Sequence, residues 1–174
     1  MAVIKFEKKN PRAVISTKFG DMVVRFYPDD APRHVDNFLA LAKMGFYNGT
    51  TFHRVLPGSL IQGGDPLSKD PDRSLHGTGG PGYMLNPEPN DRPHKRGALS
   101  TAKLPRDAHT TREFNDNGSQ FFICVGDSSG LDRRYTVFGE VIRGLEVADK
   151  IADLARDERD NPLERVEMTI SVKD

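Results

Sequence analysis

A single cysteine, Cys124, stands in the 174 residues. It has no partner for an intramolecular disulfide, and no thiol cluster is present to hold a structural zinc, so a reducing, cytoplasmic compartment is expected. The five histidines (His34, His53, His76, His94 and His109) show neither an i, i+4 pair nor a Cys at ligand spacing. No metal or cofactor is read from them; they are expected at the surface or in hydrogen bonds. An excess of one charge is missing too. Lys plus Arg and Asp plus Glu both number 25, so no long-range positive field gathers phosphates, and nucleic acid is set aside as a main partner. No apolar run reaches the roughly 18 residues of a membrane span, and MAVIKFEKKNPR lacks the apolar stretch of an export signal. No membrane partner is expected.

What the chain does contain leans toward β structure. Apolar side chains make up 36% of the residues, and 16 Gly with 12 Pro imply frequent reversals that suit many short strands. AVIST (13–17), the turn-like KFGD and MVVRF (22–26) read as a hairpin. Asp30 can cap a helix whose first turn tolerates Pro32 and whose Val35, Phe38, Leu39 and Ala42 recur at helical spacing before Gly45. Val147, Ala148, Ile151, Ala152, Leu154 and Ala155 mark a second amphipathic helix. QFFICV (120–125) and TVFGEV (136–141) read as strands, and ERVEMTISVKD alternates without a slip, Val166, Met168, Ile170 and Val172 sharing one side. Residues 65–90 and 105–118, crowded with Gly, Pro, Asp and Asn, read as long loops. No linker or internal repeat divides the chain, so one domain spans 1–174, with 1–12 as an N-terminal extension.

Several motifs reduce to bland readings. Gly77, Gly79 and Gly82 in GTGGPG have dinucleotide spacing, but RSLH before them is a poor strand. Three prolines in MLNPEPNDRP stand where the helix should begin, which leaves a structural glycine loop. Ser119 lacks the glycine pattern of a nucleophile elbow. Asp157 and Glu158 sit in RDERDNPLER, a solvated charged loop. In FHRVLPGSLIQGGD, strand alternation sends Phe52, Arg54 and Leu56 one way and His53 and Val55 the other. Taken alone, Arg54 reads as a surface charge or an ion-pair member.

FHRV-PG---QGGD, GTGGPGY, HKRGALS-A, NGSQFFI and LD---TVFGEV follow one another along the chain. Together they closely resemble the cyclophilin family of peptidyl-prolyl cis/trans isomerases over nearly all of residues 13–172. The resemblance implies a mainly β fold, a closed eight-stranded antiparallel barrel capped by two α-helices. It also implies an enzyme that rotates Xaa-Pro bonds of proline-containing peptides and unfolded proteins. Such a bond resists rotation by about 18 to 20 kcal/mol because the nitrogen lone pair is delocalised into the carbonyl. Rotation makes and breaks no bond, so it requires no nucleophile, metal or cofactor.

By resemblance, Arg54 is the donor that meets the lone pair regained by the prolyl nitrogen in the twisted state, with Gln62 and Phe122 completing the catalytic set. A guanidinium offers a permanently charged, fixed fork of donors that a lysine does not. Leu60, Phe122 and Leu131 fall where the family builds its proline cup, and Gln62 and Gln120 where it fixes the arginine and the peptide. Ala102, Lys103 and Leu104 correspond to the segment whose backbone pairs with the peptide. His53 and Tyr135 join the binding set, the latter where many members carry His. Three departures are visible. Ser59 stands where a Phe is usual, so slower catalysis is expected. Gly130 replaces a large aromatic that contacts cyclosporin, so weak cyclosporin binding is expected. LPRDAHTTREFND lengthens the chain between Lys103 and Asn117. A monomer is the default. Two other classes stay open: a proline-peptide binding module with weak catalysis, and a chaperone whose action does not need Arg54.

Overall fold

The computed structural model describes residues 10–103 and 116–173. The chain opens with a hairpin, β1 (Arg12–Thr17) and β2 (Gly20–Phe26), in which Thr17 lies opposite Gly20. Ala13, Ile15, Met22 and Val24 are fully buried while their neighbours are not, as period-2 alternation requires. Arg12, assigned from sequence to an extension, is the first residue of β1, paired with Arg25 and with Lys173.

Helix α1 (Pro32–Lys43) begins with Pro32 in its first turn, but Asp30 does not cap it. Asp30 accepts instead from Arg92 Nε at 2.9 Å. The free amide of His34 donates to Glu88 Oε1 at 2.9 Å, so a carboxylate distant in sequence supplies the cap. Seven further strands follow: β3 (Phe52–Leu56), β4 (Leu60–Gly63), β5 (Met84–Leu85), β6 (Ala98–Lys103), β7 (Asp116–Cys124), β8 (Val137–Arg143) and β9 (Thr169–Lys173). Helix α2 (Leu145–Ala152) lies between β8 and β9 and ends before Leu154 and Ala155, earlier than the apolar spacing suggests. Residues 65–90 are less irregular than expected, holding two 3-10 turns, Pro66–Lys69 and Arg73–Leu75, and the short β5. Of the other expected loop, 116–118 belong to buried β7 and 105–115 lie outside the described residues.

All pairings are antiparallel, and eight strands follow one path, β3-β4-β7-β6-β8-β2-β1-β9, with β5 attached to β7 beside it. The sheet curls into a half-barrel. The closed eight-stranded barrel expected above is therefore met only in part, because nine strands form among the described residues and β3 and β9 share no ladder. Just ahead of those strands the chain makes one bridge, Thr51 with Glu167. It is flanked by Phe52 N donating to Val166 O at 3.1 Å and Met168 N donating to Thr50 O at 2.9 Å.

The two faces of the sheet carry separate apolar clusters. Inside, Phe38 of α1 packs on Tyr47, Phe121 and Phe138 with ring centroids 5.0, 5.6 and 5.6 Å away, and α2 adds Val147, Ala148 and Ile151. Outside, Leu60, Ala98, Ala102, Phe122, Cys124 and Val137 form a second cluster. Alternation along β7 sends Phe121 and Ile123 inward and Phe122 and Cys124 outward, which explains why QFFICV is apolar without a break. The outer cluster floors the groove described next.

Candidate active site

Strands β4, β7 and β6 present their outer faces to a groove of about 500 Å³. Ten of the residues singled out from sequence line it: Arg54, Ser59, Leu60, Gln62, Ala102, Lys103, Phe122, Gly130, Leu131 and Tyr135. Leu56 and Ser128 line it as well. Leu56 shares the side of Arg54 in the alternation already read. Ser128 is held there by its amide donating to His94 O at 2.8 Å and its carbonyl accepting from the Leu131 amide at 3.0 Å. Leu104 lies outside the described residues.

Arg54 reaches the rim through an irregularity. The register between β3 and β4 shifts between Phe52 and Arg54, so His53 is an extra residue. Phe52 turns into the inner core with Val55, against the alternation expected from sequence. His53 is 5% exposed and lies outside the groove, with Gly77 packed over its ring. Burial pushes its pKa down to about 4, and Nδ1 has no hydrogen-bond partner among the described residues. His53 is therefore a packed neutral imidazole and not a groove residue.

The guanidinium is anchored on one side only. Arg54 Nη1 donates to Gln62 Oε1 at 3.2 Å, and Gln62 Nε2 donates to Gln120 Oε1 at 3.1 Å. Gln120 lies behind Gln62, outside the groove lining, so its contact is with Gln62 and not with the cavity. The remaining N–H groups of the exposed Arg54 can meet a ligand.

Beside the arginine the floor is apolar and closely packed. Phe122 is 3% exposed, stacks on His94 at 5.9 Å between centroids and meets the edge of Tyr135 at 5.8 Å. Burial lowers the pKa of His94. His94 Nδ1 faces Asp132 Oδ1 at 3.0 Å and Nε2 faces Ser100 Oγ at 2.9 Å, while the Ser100 hydroxyl donates to Thr136 O at 3.0 Å. Burial, with Asp132 and Asp127 nearby, pushes the thiol of Cys124 up to about 12, so it packs as an apolar group. At the end of β6, Lys103 Nζ donates to Asp116 Oδ1 at 2.8 Å. The other oxygen of that fully buried carboxylate faces His34 Nε2 at 2.9 Å, and His34 Nδ1 faces Glu88 Oε1 at 2.7 Å. This buried network escaped the sequence reading.

Other candidates resolve structurally. Ser119 Oγ donates to Gly64 O at 2.7 Å. Asp157 is no free loop charge: it takes Arg73 Nη2 at 3.0 Å and the amides of Arg159 and Asn161 at 2.8 and 3.1 Å.

An arginine beside an apolar cup on the outside of a curled antiparallel sheet defines a class. The chain belongs to the cyclophilin type peptidyl-prolyl cis-trans isomerases, whose family model matches residues 12–172. It is 43% identical over 147 residues to a peptidyl-prolyl cis-trans isomerase of Helicobacter pylori, covering 82% of this chain and 81% of that one. A peptidyl-prolyl cis-trans isomerase of Synechococcus elongatus is 41% identical over 148 residues, covering 80% and 92%. Among solved structures, a cyclophilin type isomerase of Cryptosporidium parvum, crystallised in the presence of the dipeptide Ala-Pro, superposes with a TM-score of 0.80. The two share 30% identity over 94% of this chain and 99% of that one.

Proposed function

We propose that this isomerase turns Xaa-Pro bonds by seating the proline ring on Phe122, Leu60 and Leu131 while Arg54 donates to the prolyl nitrogen of the twisted amide. The observation that carries this reading is the guanidinium held at the rim of the apolar cup by Gln62. Planar cis and trans amides keep the lone pair delocalised and give the donor little to bind. The twisted form localises it, so the hydrogen bond strengthens as the barrier is approached. Preorganisation matters because a donor already fixed needs no rearrangement at that moment. The Ala-Pro dipeptide of the Cryptosporidium parvum crystal supports a proline peptide as the occupant.

Proline-containing peptides and unfolded chains are the substrates in this reading, with the Ala102–Lys103 backbone and the Tyr135 hydroxyl holding the peptide on either side of the ring. The protein acts as a cytoplasmic monomer, and its sheet closes functionally through the Thr51–Glu167 bridge. Exchange NMR on a short Ala-Pro peptide tests the assignment. Arg54→Ala is expected to lose most of the acceleration while its unfolding midpoint is kept, and parent-level exchange would reject the role of Arg54. A binding module is favoured only by the wall at Ser59 and Gly130, where a Cβ at 130 would meet nothing within 4 Å. Tight peptide binding without acceleration would decide for it.

A further inference from the structure

Behind Arg54 runs a series of hydrogen bonds whose polarity is decided at its far end. The carbonyls of Gly77 and Gly79 can only accept, and both take Gln120 Nε2, at 3.0 and 2.8 Å. Gln120 must therefore turn its oxygen to Gln62, and Gln62 must turn its own oxygen to Arg54. A carboxamide reversed anywhere in the series would set donor against donor or acceptor against acceptor.

The two carbonyls are held from both sides. Asp65, fully buried, accepts the amides of Gly77 and Gly79 on Oδ2 at 2.6 and 3.2 Å and that of Leu67 on Oδ1 at 2.8 Å. Asn117 Nδ2 donates to Gly79 O at 2.9 Å, and Asn117 Oδ1 accepts the Gln120 amide at 2.9 Å. Gly77 has φ +96°, and a side chain at Gly79 would strike Asp65 and Leu67.

We propose that Asp65 and the glycine loop it seats are positioning elements for isomerisation, setting through Gln120 and Gln62 where the guanidinium of Arg54 points. This rests on reading Arg54 as the donor to the prolyl nitrogen. The loop that resembles a phosphate cradle in sequence turns its amides inward to a carboxylate and spends its carbonyls on a carboxamide.

The test compares the parent, Asp65→Asn, Arg54→Ala and the double variant by exchange NMR on an Ala-Pro peptide. The side-chain amide signals of Gln62 and Gln120 are followed in all four samples, and the Nε signal of Arg54 in the parent and Asp65→Asn. An asparagine keeps the shape of Asp65 but turns an N–H toward amides that also donate. Asp65→Asn is expected to slow exchange at saturating peptide roughly 10- to 100-fold with little change in peptide affinity, the cost of a misplaced catalytic group. It should move the three signals together and add less than about twofold to the loss in Arg54→Ala, because the two changes act through one group. Parent-level exchange in Asp65→Asn, unmoved signals, or an undiminished further loss in the double variant would overturn the proposal. Parent-level exchange in Arg54→Ala would overturn the reading of Arg54 instead, and the Asp65→Asn signals would still decide whether the loop orients the relay. If Asp65→Asn fails to fold, Gln120→Glu takes its place, since its carboxylate matches in shape and cannot donate to the glycine carbonyls.

Discussion

Arg54 stands at the groove because β3 carries one residue more than β4 can match, and that extra residue is His53. Strict alternation read from FHRVL puts Arg54 and Leu56 on the right side but misplaces Phe52, since a bulge has no signature in five residues of sequence. The neighbouring cup is legible by a different route. Leu60, Phe122 and Leu131 are indistinguishable from core residues until motifs in distant segments are read together. Gly130 lends itself to a direct trial. Its φ is not in the left-handed region and open space surrounds the position, so Gly130→Trp should fold normally and enlarge the apolar wall. We expect it to tighten both Ala-Pro peptide and cyclosporin binding, by about tenfold for partial burial of an aromatic ring, as read by calorimetry. Unchanged affinity for both would show that position 130 does not face the bound peptide. Arg54→Lys should recover little of the activity lost in Arg54→Ala, because a point charge on a flexible stem does not reproduce a fork fixed by Gln62. Full recovery in the exchange assay would mean that charge alone suffices.

At the scale of elements, periodicity locates the strands and helices, and what lies between them decides how they end. The alternation from Val166 to Val172 and the apolar faces of α1 and α2 are plain in the sequence because burial on one side imposes a repeat. The cap of α1 is not. Asp30 has the right chemistry and the right place, yet the amide of His34 is taken by Glu88, 54 positions away in the chain. The same carboxylate accepts from the His34 ring, which bridges to Asp116 and so to Lys103 on the groove wall. Each ring nitrogen of a side chain only 1% exposed faces a carboxylate oxygen. Removing the imidazole takes one partner from the fully buried Asp116, which keeps Lys103 Nζ and Thr136 Oγ1, and one from the partly buried Glu88, which keeps the amide of residue 34. His34→Ala is therefore expected to destabilise the fold by about 1 to 3 kcal/mol, the cost of lost hydrogen bonds to buried polar groups. Urea unfolding at neutral pH checks this, and an unchanged midpoint would mean that solvent replaces the ring at no cost. No pattern in sequence announces such a network, since its members come from a helix, a loop and two strands.

For the whole molecule, equal numbers of acidic and basic side chains leave local burial to govern the response to pH. His53 is the clearest case. Its folded pKa, pushed down by burial to about 4, lies below the unfolded value near 6.5, so the unfolded chain takes up the proton first as pH falls. The contribution is complete above the unfolded value and is lost as pH drops from about 6.5 toward 4, by up to about 3 kcal/mol from this residue. His94 is lowered by burial as well and acts in the same direction. Urea midpoints should therefore fall between neutral pH and pH 4.5, and His53→Gln should flatten part of that slope. A parent protein equally stable at both pH values would contradict the burial of these rings. The overall architecture, mainly β with two helices, is legible from composition and periodicity, whereas the open path from β3 to β9 is not, because one isolated bridge and a full ladder demand the same alternation.

The most direct measurement sets binding against turnover in one sample. Parent and Arg54→Ala are titrated with an Ala-Pro peptide by NMR, and the exchange rate is read from the same spectra. A donor that acts mainly on the twisted amide predicts peptide affinities within about twofold of each other and exchange slowed roughly 100-fold or more in the variant. Affinity and exchange falling in parallel would contradict the account, for Arg54 would then hold the ground state and the barrier alike.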